Sequence, residues 1–145
     1  MADIFDASIN ASILGTGEAE AIAWLERAEQ QVLAAYASQI QEWRSLLQAE
    51  HGCWCGPGHR CEEEVDAMDG CCHHHDLAYD SLGVSADTMW TAAAIMKTRD
   101  ADRTLVACAA ASGAPGEDSA IVTYRAMLEQ IFIARASIGD LLATI

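Results

Sequence analysis

Apolar residues recur at helical intervals through most of the chain, and no segment alternates apolar and polar residues as a half-buried strand would. The longest helical pattern lies between Gly17 and Glu50, where apolar side chains return at spacings of three, four or seven residues. This pattern predicts a helix, with room for a bend, over that range, and an irregular or weakly helical arm in residues 1–16. The whole chain is therefore predicted to be all-α.

The middle of the chain begins with a segment that cannot be regular. His51 to Cys61 contains three glycines and a proline, which exclude helix and strand alike, so we predict a loop there. A helix follows from about Glu64 to Ser81. After a short turn, another helix is predicted from about Asp87 to Ala111, with Ser85 or Asp87 as its N-cap.

The last helix is marked by breakers on both sides. Gly113 and Pro115 end the preceding helix, and Asp118 is the expected N-cap of a helix over about Ser119 to Ser137. Gly139 is expected to loosen a short tail after it. At 145 residues, the chain has the usual length of one domain.

Charge narrows the possible partners. Eight Lys and Arg stand against 22 Asp and Glu, a formal net charge of −14. This excludes nucleic acid, since phosphate contacts need clustered cations, and it disfavours strongly anionic lipid surfaces. It suits both a soluble surface and a protein that collects cations. No apolar run approaches the roughly 18 residues that a membrane span needs.

The cysteines indicate an oxidising compartment. The chain has six of them, crowded around Gly and Pro, and such an even count is typical of a disulfide framework in a secreted protein. The N-terminus, however, carries Asp3 and Asp6 where a signal peptide would be basic. Export therefore uses either a leader absent from this sequence or another route.

The segment "DGCCHHHDLAYD", Asp69 to Asp80, carries the densest chemistry. On a helix, Cys71, Cys72, His75 and Tyr79 share one broad face. Asp76 is rotated by about 100° from His75, toward a neighbouring edge. One residue can thus face a partner helix while the next faces a loop.

The loop "HGCWCGPGHRC" offers a second kind of chemistry. Gly56 and Gly58, with Pro57 between them, let the backbone curl and aim several carbonyls at one point. Carbonyl oxygens with one carboxylate are the ligands that Ca²⁺ prefers. Asp76 would supply that carboxylate if the loop lies beside its edge of the helix.

Together, "WCGPG" and "DGCCHHHDLAY" resemble the secreted phospholipase A2 superfamily, whose calcium loop reads X-C-G-X-G and whose catalytic helix reads D-X-C-C-X-X-H-D-X-X-Y. Every fixed position is met. "DRTLVAC", Asp102 to Cys108, also matches the family's Asp-Arg pair with a Cys six residues after the Asp. The resemblance spans Trp54 to Cys108 and implies two long antiparallel, disulfide-linked helices. Because "SLGVSAD" has no room for the β-hairpin of vertebrate members, it points to the small prokaryotic and fungal ones.

The resemblance implies a role for each matched residue. His75 would be the general base that activates water, Asp102 would orient and stabilise its ring, and Tyr79 would hydrogen-bond Asp102. Asp76 and the carbonyls of Trp54, Gly56 and Gly58 would bind Ca²⁺. The backbone N–H of Gly56 would be a second oxyanion donor. The bond cut would be the sn-2 ester of a glycerophospholipid, giving a fatty acid and a lysophospholipid.

The resemblance also implies two disulfides, Cys55–Cys72 and Cys71–Cys108. Cys53 and Cys61 are then left to pair by proximity, although six cysteines allow many connectivities and free thiols remain open. A Cys71–Cys108 bridge would set a useful register. His75 lies about 6 Å along its helix from the bridge and Asp102 about 9 Å, both in the same direction, so their side chains need close only roughly 3 Å.

The predicted single domain therefore divides into an N-terminal arm and helix (1–50), a calcium loop (51–61), a catalytic helix pair (64–111) and a C-terminal helix (118–138). Its partner would be a phospholipid aggregate or membrane surface, zwitterionic rather than anionic; an inhibitor or immunity partner stays unknown. Two alternatives stay open: a non-catalytic phospholipase A2-like binding or toxin module, and a Cys/His zinc-binding structural module. Four histidines are expected at the surface: His51, His59, His73 and His74.

Overall fold

A computed structural model describes residues 16–58 and 60–145. These residues contain no strand, and they form six helices: α1 (Thr16–Ala35), α2 (Ala37–Leu46), α3 (Ala67–Ser81), α4 (Ala92–Lys97), α5 (Arg99–Ala111) and α6 (Ser119–Ala143). The all-α prediction is confirmed. The described residues group into two compact units, residues 16–37 with Ile145, and Ser38–Thr144. The predicted arm lies outside the described residues, except for Thr16.

The helix predicted from Gly17 to Glu50, with room for a bend, is two helices and ends earlier than predicted. It is interrupted at Tyr36, whose N–H bonds the carbonyl of Leu33, three residues back, at 3.2 Å. It also ends at Leu46, after which the N–H of Ala49 bonds back over only three residues. One tightened turn barely changes which side chains share a face. The apolar pattern therefore runs across both breaks without marking them.

Helix α3 also begins later than predicted. Asp66 is the N-cap of α3, with extended backbone, and its carboxylate accepts the N–H of Asp69 at 2.8 Å. The helix therefore starts at Ala67 rather than Glu64, because a side-chain acceptor satisfies its first free N–H groups.

The helix predicted from Asp87 to Ala111 is in fact two helices, α4 and α5, which meet at Thr98. Its N-cap is Thr91, which accepts the N–H of Ala94 at 3.2 Å. Neither Ser85 nor Asp87 caps it. The N–H of Ser85 instead bonds Thr88 Oγ1 at 2.9 Å in the preceding turn. Both turns contain side chains that can cap a helix, and α4 begins at the later one, with Thr91 as its N-cap.

Gly139 does not loosen a tail. Helix α6 continues through it to Ala143, beyond the predicted ends at Ser137 and residue 138. A Cβ at this position would lie 2.9 Å from the carbonyl oxygen of Ile95 and 3.2 Å from Cβ of Arg99. Arg99 Nη1 also donates to the Gly139 carbonyl at 3.3 Å. The glycine therefore serves the close approach of α6 to α4 and α5, not helix termination.

Helices α3 and α5 run antiparallel and are joined by the Cys71–Cys108 disulfide. Further along α3, His75 meets Asp102, which lies earlier on α5. Helix α6 packs along both α5 and α4. One apolar cluster fills the space between these helices and the loop: Cys55, Met68, Cys71, Cys72, Leu105, Ala109, Leu128 and Phe132. None of the described helices is both long and apolar enough to cross a membrane.

Candidate functional site

A histidine and an aspartate from neighbouring helices meet at the centre of the second unit. His75 Nε2 lies 2.8 Å from Asp102 Oδ1, and both side chains are buried. The Tyr79 hydroxyl donates to the same oxygen at 2.5 Å. Burial, together with the charge of Asp102, raises the pKa of Tyr79, so the phenol remains a donor. The structure thus brings together three of the four residues predicted as catalytic.

The ring of His75 is held on two sides by aromatic contacts. Phe132 packs edge-on at 4.8 Å between ring centroids, and Tyr79 lies tilted at 4.2 Å. Because Nε2 is engaged by Asp102, Nδ1 is the nitrogen left for a proton acceptor's role. His75 lines a cavity of about 370 Å³. This arrangement can orient one imidazole toward a molecule in that cavity.

The cavity is mostly apolar, with a polar rim. Its apolar walls include Leu47, Val84, Met89, Leu105, Leu128 and Phe132. The fourth predicted catalytic residue, Gly56, lines it as well, and so do the other predicted metal ligands, Trp54, Gly58 and Asp76. An apolar pocket beside a few converging polar groups is the usual form of a small-molecule site.

The loop takes its shape from positive backbone φ angles and two disulfides. Gly56 has φ of 129° and Gly58 of 65°, which only glycine adopts without strain. The bridges are Cys53–Cys61 within the loop and Cys55–Cys72 to α3. With Cys71–Cys108, these are the three pairs expected from the sequence. All six cysteines are bonded, which leaves no thiolate for the alternative zinc module.

Asp69 anchors the loop, a role that the sequence motifs alone did not predict. Its fully buried carboxylate accepts the backbone N–H groups of Cys53 at 2.9 Å, Trp54 at 2.7 Å and Val65 at 3.0 Å. Gly52 lies so close that a Cβ there would be 2.5 Å from Asp69 Cγ. The sequence did hold a signal, because Asp69 is the first fixed position of the helix motif.

Asp76 is a half-buried carboxylate at the rim. Burial raises its pKa to about 6, although the charges of His75 and Arg60 act to lower it. Arg60 Nε lies 3.9 Å from Asp76 Oδ2, too far for a hydrogen bond. The guanidinium instead donates to Asp80 at 3.1 and 3.2 Å.

These residues fit Ca²⁺ in chemical type. One carboxylate and three loop residues with backbone carbonyls line one cavity, and hard oxygen ligands of this kind suit that ion. Burial disfavours the charged form of Asp76 and raises its pKa, and a bound cation would offset that cost. Within residues 16–58 and 60–145, no three His, Cys, Asp or Glu side chains converge as a metal-binding group.

Arg135 on α6 completes the centre, and its role was not predicted from the sequence. Its side chain is fully buried, and its Nη1 contacts Asp102 Oδ2, Tyr79 OH and Thr98 Oγ1. The available signal was an arginine within the apolar face of a helix, in "IFIARASIG". A charged residue on such a face is almost never fully buried unless it is paired.

The other histidines lie outside this centre. His74 is exposed. His73 is half-buried, its ring stacks on Trp54 at 3.7 Å and its Nδ1 lies 3.1 Å from Glu64, so its expected surface position is only partly right. His51 is half-buried as well, and its Nε2 lies 2.8 Å from Asp66 Oδ2, so its expected surface position is also only partly right. His59 falls outside the described residues.

Comparisons with known proteins support a phospholipase A2 relationship over a short segment. The chain is 47% identical over 32 residues to phospholipase A2 A2-hormotoxin-Apt1a from Adamsia palliata, which covers 22% of this chain and 20% of that protein. It is 50% identical over 32 residues to phospholipase A2 A2-actitoxin-Cgg2a from Condylactis gigantea, covering 22% of this chain and 26% of that protein.

The chain thus spans about a fifth to a quarter of the length of the curated relatives it matches. Both are sea anemone proteins, so the likeness to prokaryotic and fungal members finds no support among them. No family model matches the chain, and no solved structure matches it.

Proposed function

We propose that this chain is a calcium-dependent phospholipase A2, which hydrolyses the sn-2 ester of glycerophospholipids to a fatty acid and a lysophospholipid. One observation carries the proposal: the His75–Asp102 pair, joined at 2.8 Å, opens on the same apolar cavity as Asp76 and the glycine loop. A proton acceptor and a candidate cation site therefore share one pocket.

The chain's own residues supply the base. Nδ1 of His75 takes a proton from a water molecule as that water attacks the ester carbonyl. Asp102 accepts the N–H of Nε2, which fixes the tautomer and stabilises the imidazolium that forms. Tyr79 donates to Asp102 at 2.5 Å and so restricts the rotation of its carboxylate. His75 then returns the proton to the leaving alcohol.

The rim residues would hold the cation. Asp76 and the backbone carbonyls of Trp54, Gly56 and Gly58 would bind Ca²⁺, and the N–H of Gly56 would donate to the oxyanion. When bound, Ca²⁺ polarises the ester carbonyl and stabilises the negative charge that develops on its oxygen. The apolar walls of the cavity would accept the acyl chain.

The substrate surface and compartment follow from charge and cysteine chemistry. A net charge of −14 favours zwitterionic over anionic lipid aggregates, because like charges repel. Three disulfides are typical of an oxidising compartment and rare in the reducing cytosol. We therefore propose that the protein acts outside the reducing cytosol, as a secreted enzyme on phospholipid micelles or membranes.

The decisive experiment measures fatty-acid release from phosphatidylcholine mixed micelles, with Ca²⁺ and with chelator. We compare wild type with His75→Gln, Asp76→Asn and the control His74→Gln, an exposed histidine on the same helix. Wild type and the control should hydrolyse lipid only with Ca²⁺. His75→Gln should lose about 10²–10⁴-fold in rate, and Asp76→Asn should lose calcium affinity.

Hydrolysis that survives chelation, or that His75→Gln leaves intact, would refute the mechanism. The second candidate is a non-catalytic phospholipase A2-like toxin module, since both relatives carry toxin names beside the name phospholipase A2. Calcium binding by calorimetry without any lipid hydrolysis would favour that module.

A further inference from the structure

Arg135 is a fully buried charged residue of the second unit, and the proposed hydrolysis steps do not use it. Its side chain and that of Asp102 have no exposed surface. Nη1 contacts Asp102 Oδ2 and donates to Tyr79 OH at 2.8 Å and to Thr98 Oγ1 at 2.6 Å. Nη2 donates to the carbonyl of Met89. Burying a guanidinium so completely is costly unless its partners compensate.

Asp102 is shared between the histidine and the arginine. Its Oδ1 accepts from His75 and Tyr79, and its Oδ2 accepts from Arg135. Arg135 also donates to Tyr79, so Asp102, Tyr79 and Arg135 form a closed ring of hydrogen bonds. Both oxygens of the carboxylate are therefore fixed, and its plane cannot rotate without breaking a charge-assisted bond.

The guanidinium is itself held in place. Its central carbon lies 5.3 Å from the ring centroid of Trp90 and 5.5 Å from that of Tyr79, distances at which cation–π attraction operates. Trp90 in turn stacks with Trp43 at 6.3 Å. A planar guanidinium near two aromatic rings has a defined orientation that the point charge of a lysine could not have.

We propose that Arg135 is a positioning residue for the candidate catalytic pair: it sets the orientation of the Asp102 carboxylate and, through it, that of the His75 ring. The inference rests on the proposed function for its effect on turnover, but not for its effect on the His75–Asp102 hydrogen bond. Arg135 does not itself line the cavity, so we expect its main effect on the chemical step rather than on lipid binding.

The test compares Arg135→Met and Arg135→Lys with wild type. We expect Arg135→Met to lower kcat by about 10²-fold, the cost of a small misplacement of a catalytic group, while KM and calcium affinity change by less than about threefold. Arg135→Lys should recover part of this loss, because it restores the charge but not the fork. The control is Arg125→Met, which removes another ion-paired arginine from α6, bonded to Glu117 at 2.5 Å. It should leave kcat unchanged.

A double-mutant cycle shows whether Arg135 acts through Asp102. Asp102→Asn with Arg135→Met removes both buried charges and should be no slower than Asp102→Asn alone. If Arg135→Met does not fold, its place in the comparison is taken by Arg135→Lys, and the double variant is still compared with Asp102→Asn. Additive losses in kcat would overturn the inference, because they would mean that Arg135 acts independently of Asp102.

A second readout does not depend on turnover. The ring proton on Nε2 of His75, shared with Asp102, should give a downfield proton resonance in wild type, which shifts or broadens in Arg135→Lys and Arg135→Met but not in Arg125→Met. If wild type hydrolyses lipid but both Arg135 variants keep its kcat and this resonance, the inference fails and the proposed function stands. If wild type hydrolyses nothing while the resonance still depends on Arg135, the proposed function fails and the positioning role stands.

Discussion

Asp69→Asn should uncouple the loop from the helix that carries the candidate catalytic residues. The substitution keeps the shape of the side chain but replaces one carboxylate oxygen with an NH₂ group. Oδ2 accepts two backbone N–H groups, from Cys53 and Val65, and Oδ1 accepts one, from Trp54. An asparagine that keeps its oxygen toward the N–H groups of Cys53 and Val65 must turn its NH₂ group, a donor, toward the N–H of Trp54.

The magnitude follows from those three bonds. A hydrogen bond to a charged group contributes about 1.5–3 kcal/mol, and a buried donor left without an acceptor costs about 1–3 kcal/mol. The amide loses one bond outright and weakens the other two by removing the charge. We therefore expect a loss of about 2–4 kcal/mol in the free energy of unfolding. Calcium affinity should fall as well, because the same loop carries the proposed carbonyl ligands.

The pH dependence gives this prediction a sign. Burial acts to raise the pKa of Asp69, but hydrogen bonds from the N–H groups of Cys53, Val65 and Trp54 outweigh it and hold the pKa below its ordinary value. A carboxylate with a depressed folded pKa stabilises the fold fully above its unfolded pKa, about 3.9. That stabilisation is lost as the pH falls through the folded value.

Urea unfolding of both proteins at pH 7 and at pH 2.5 measures the difference. The gap between wild type and Asp69→Asn should be largest at pH 7 and should shrink in acid. Asp100→Asn is the control, since the Asp100 side chain is 96% exposed and should change stability by less than about 0.5 kcal/mol. A gap equally wide at both pH values, or no gap at pH 7, would refute the anchoring role of Asp69.

Three further predictions concern the rim, the last helix and the bridge between α3 and α5. Because burial raises the pKa of Asp76 to about 6, protons should compete with Ca²⁺ for this carboxylate below that pH. Calorimetry should therefore find weaker Ca²⁺ binding at pH 5 than at pH 7.5. Equal Ca²⁺ affinities at the two pH values would contradict this prediction. Gly139→Ala should cost about 1–3 kcal/mol in urea unfolding, because its Cβ would meet the Ile95 carbonyl at 2.9 Å; an unchanged midpoint would show that α6 has room to shift. Replacing Cys71 and Cys108 with serine should cost about 2–5 kcal/mol and lower kcat more than calcium affinity, and a variant with wild-type kcat would show that the bridge does not set the register.

The parts of the site that sequence reasoning could reach are those fixed by short-range geometry. Spacing along one helix decides that His75 and Tyr79 share a face while Asp76 lies on the next edge. The family resemblance implied the Cys71–Cys108 disulfide, which sets the register between two helices, and the 2.8 Å contact of His75 with Asp102 agrees with the offset worked out from that bridge. The curved backbone of the loop was predictable as well, because it depends on the glycines within the loop itself.

The features that could not be predicted from the sequence depend on contacts between segments that are distant along the chain. Arg135 is 33 residues from Asp102 along the chain, and nothing local says that an arginine on an apolar face pairs with that aspartate. Gly139 carried a local signal for helix termination, which its packing against Ile95 overrode. The break at Thr98 is similar, since its fully buried hydroxyl donates to the Ala94 carbonyl and accepts from Arg135.

The site consists of two halves that are fastened separately to one helix. Asp69 and the Cys55–Cys72 bridge fix the loop to α3, whereas Asp102 and Arg135 fix the orientation of His75. His75 and Asp76 are neighbours on α3, so the helix itself holds the two halves in register. Weakening the first fastening should therefore act on calcium affinity, and weakening the second should act on the rate of proton transfer. If each variant changes only one of these two quantities, α3 holds the two halves at a fixed distance while each half keeps its own, independent stability.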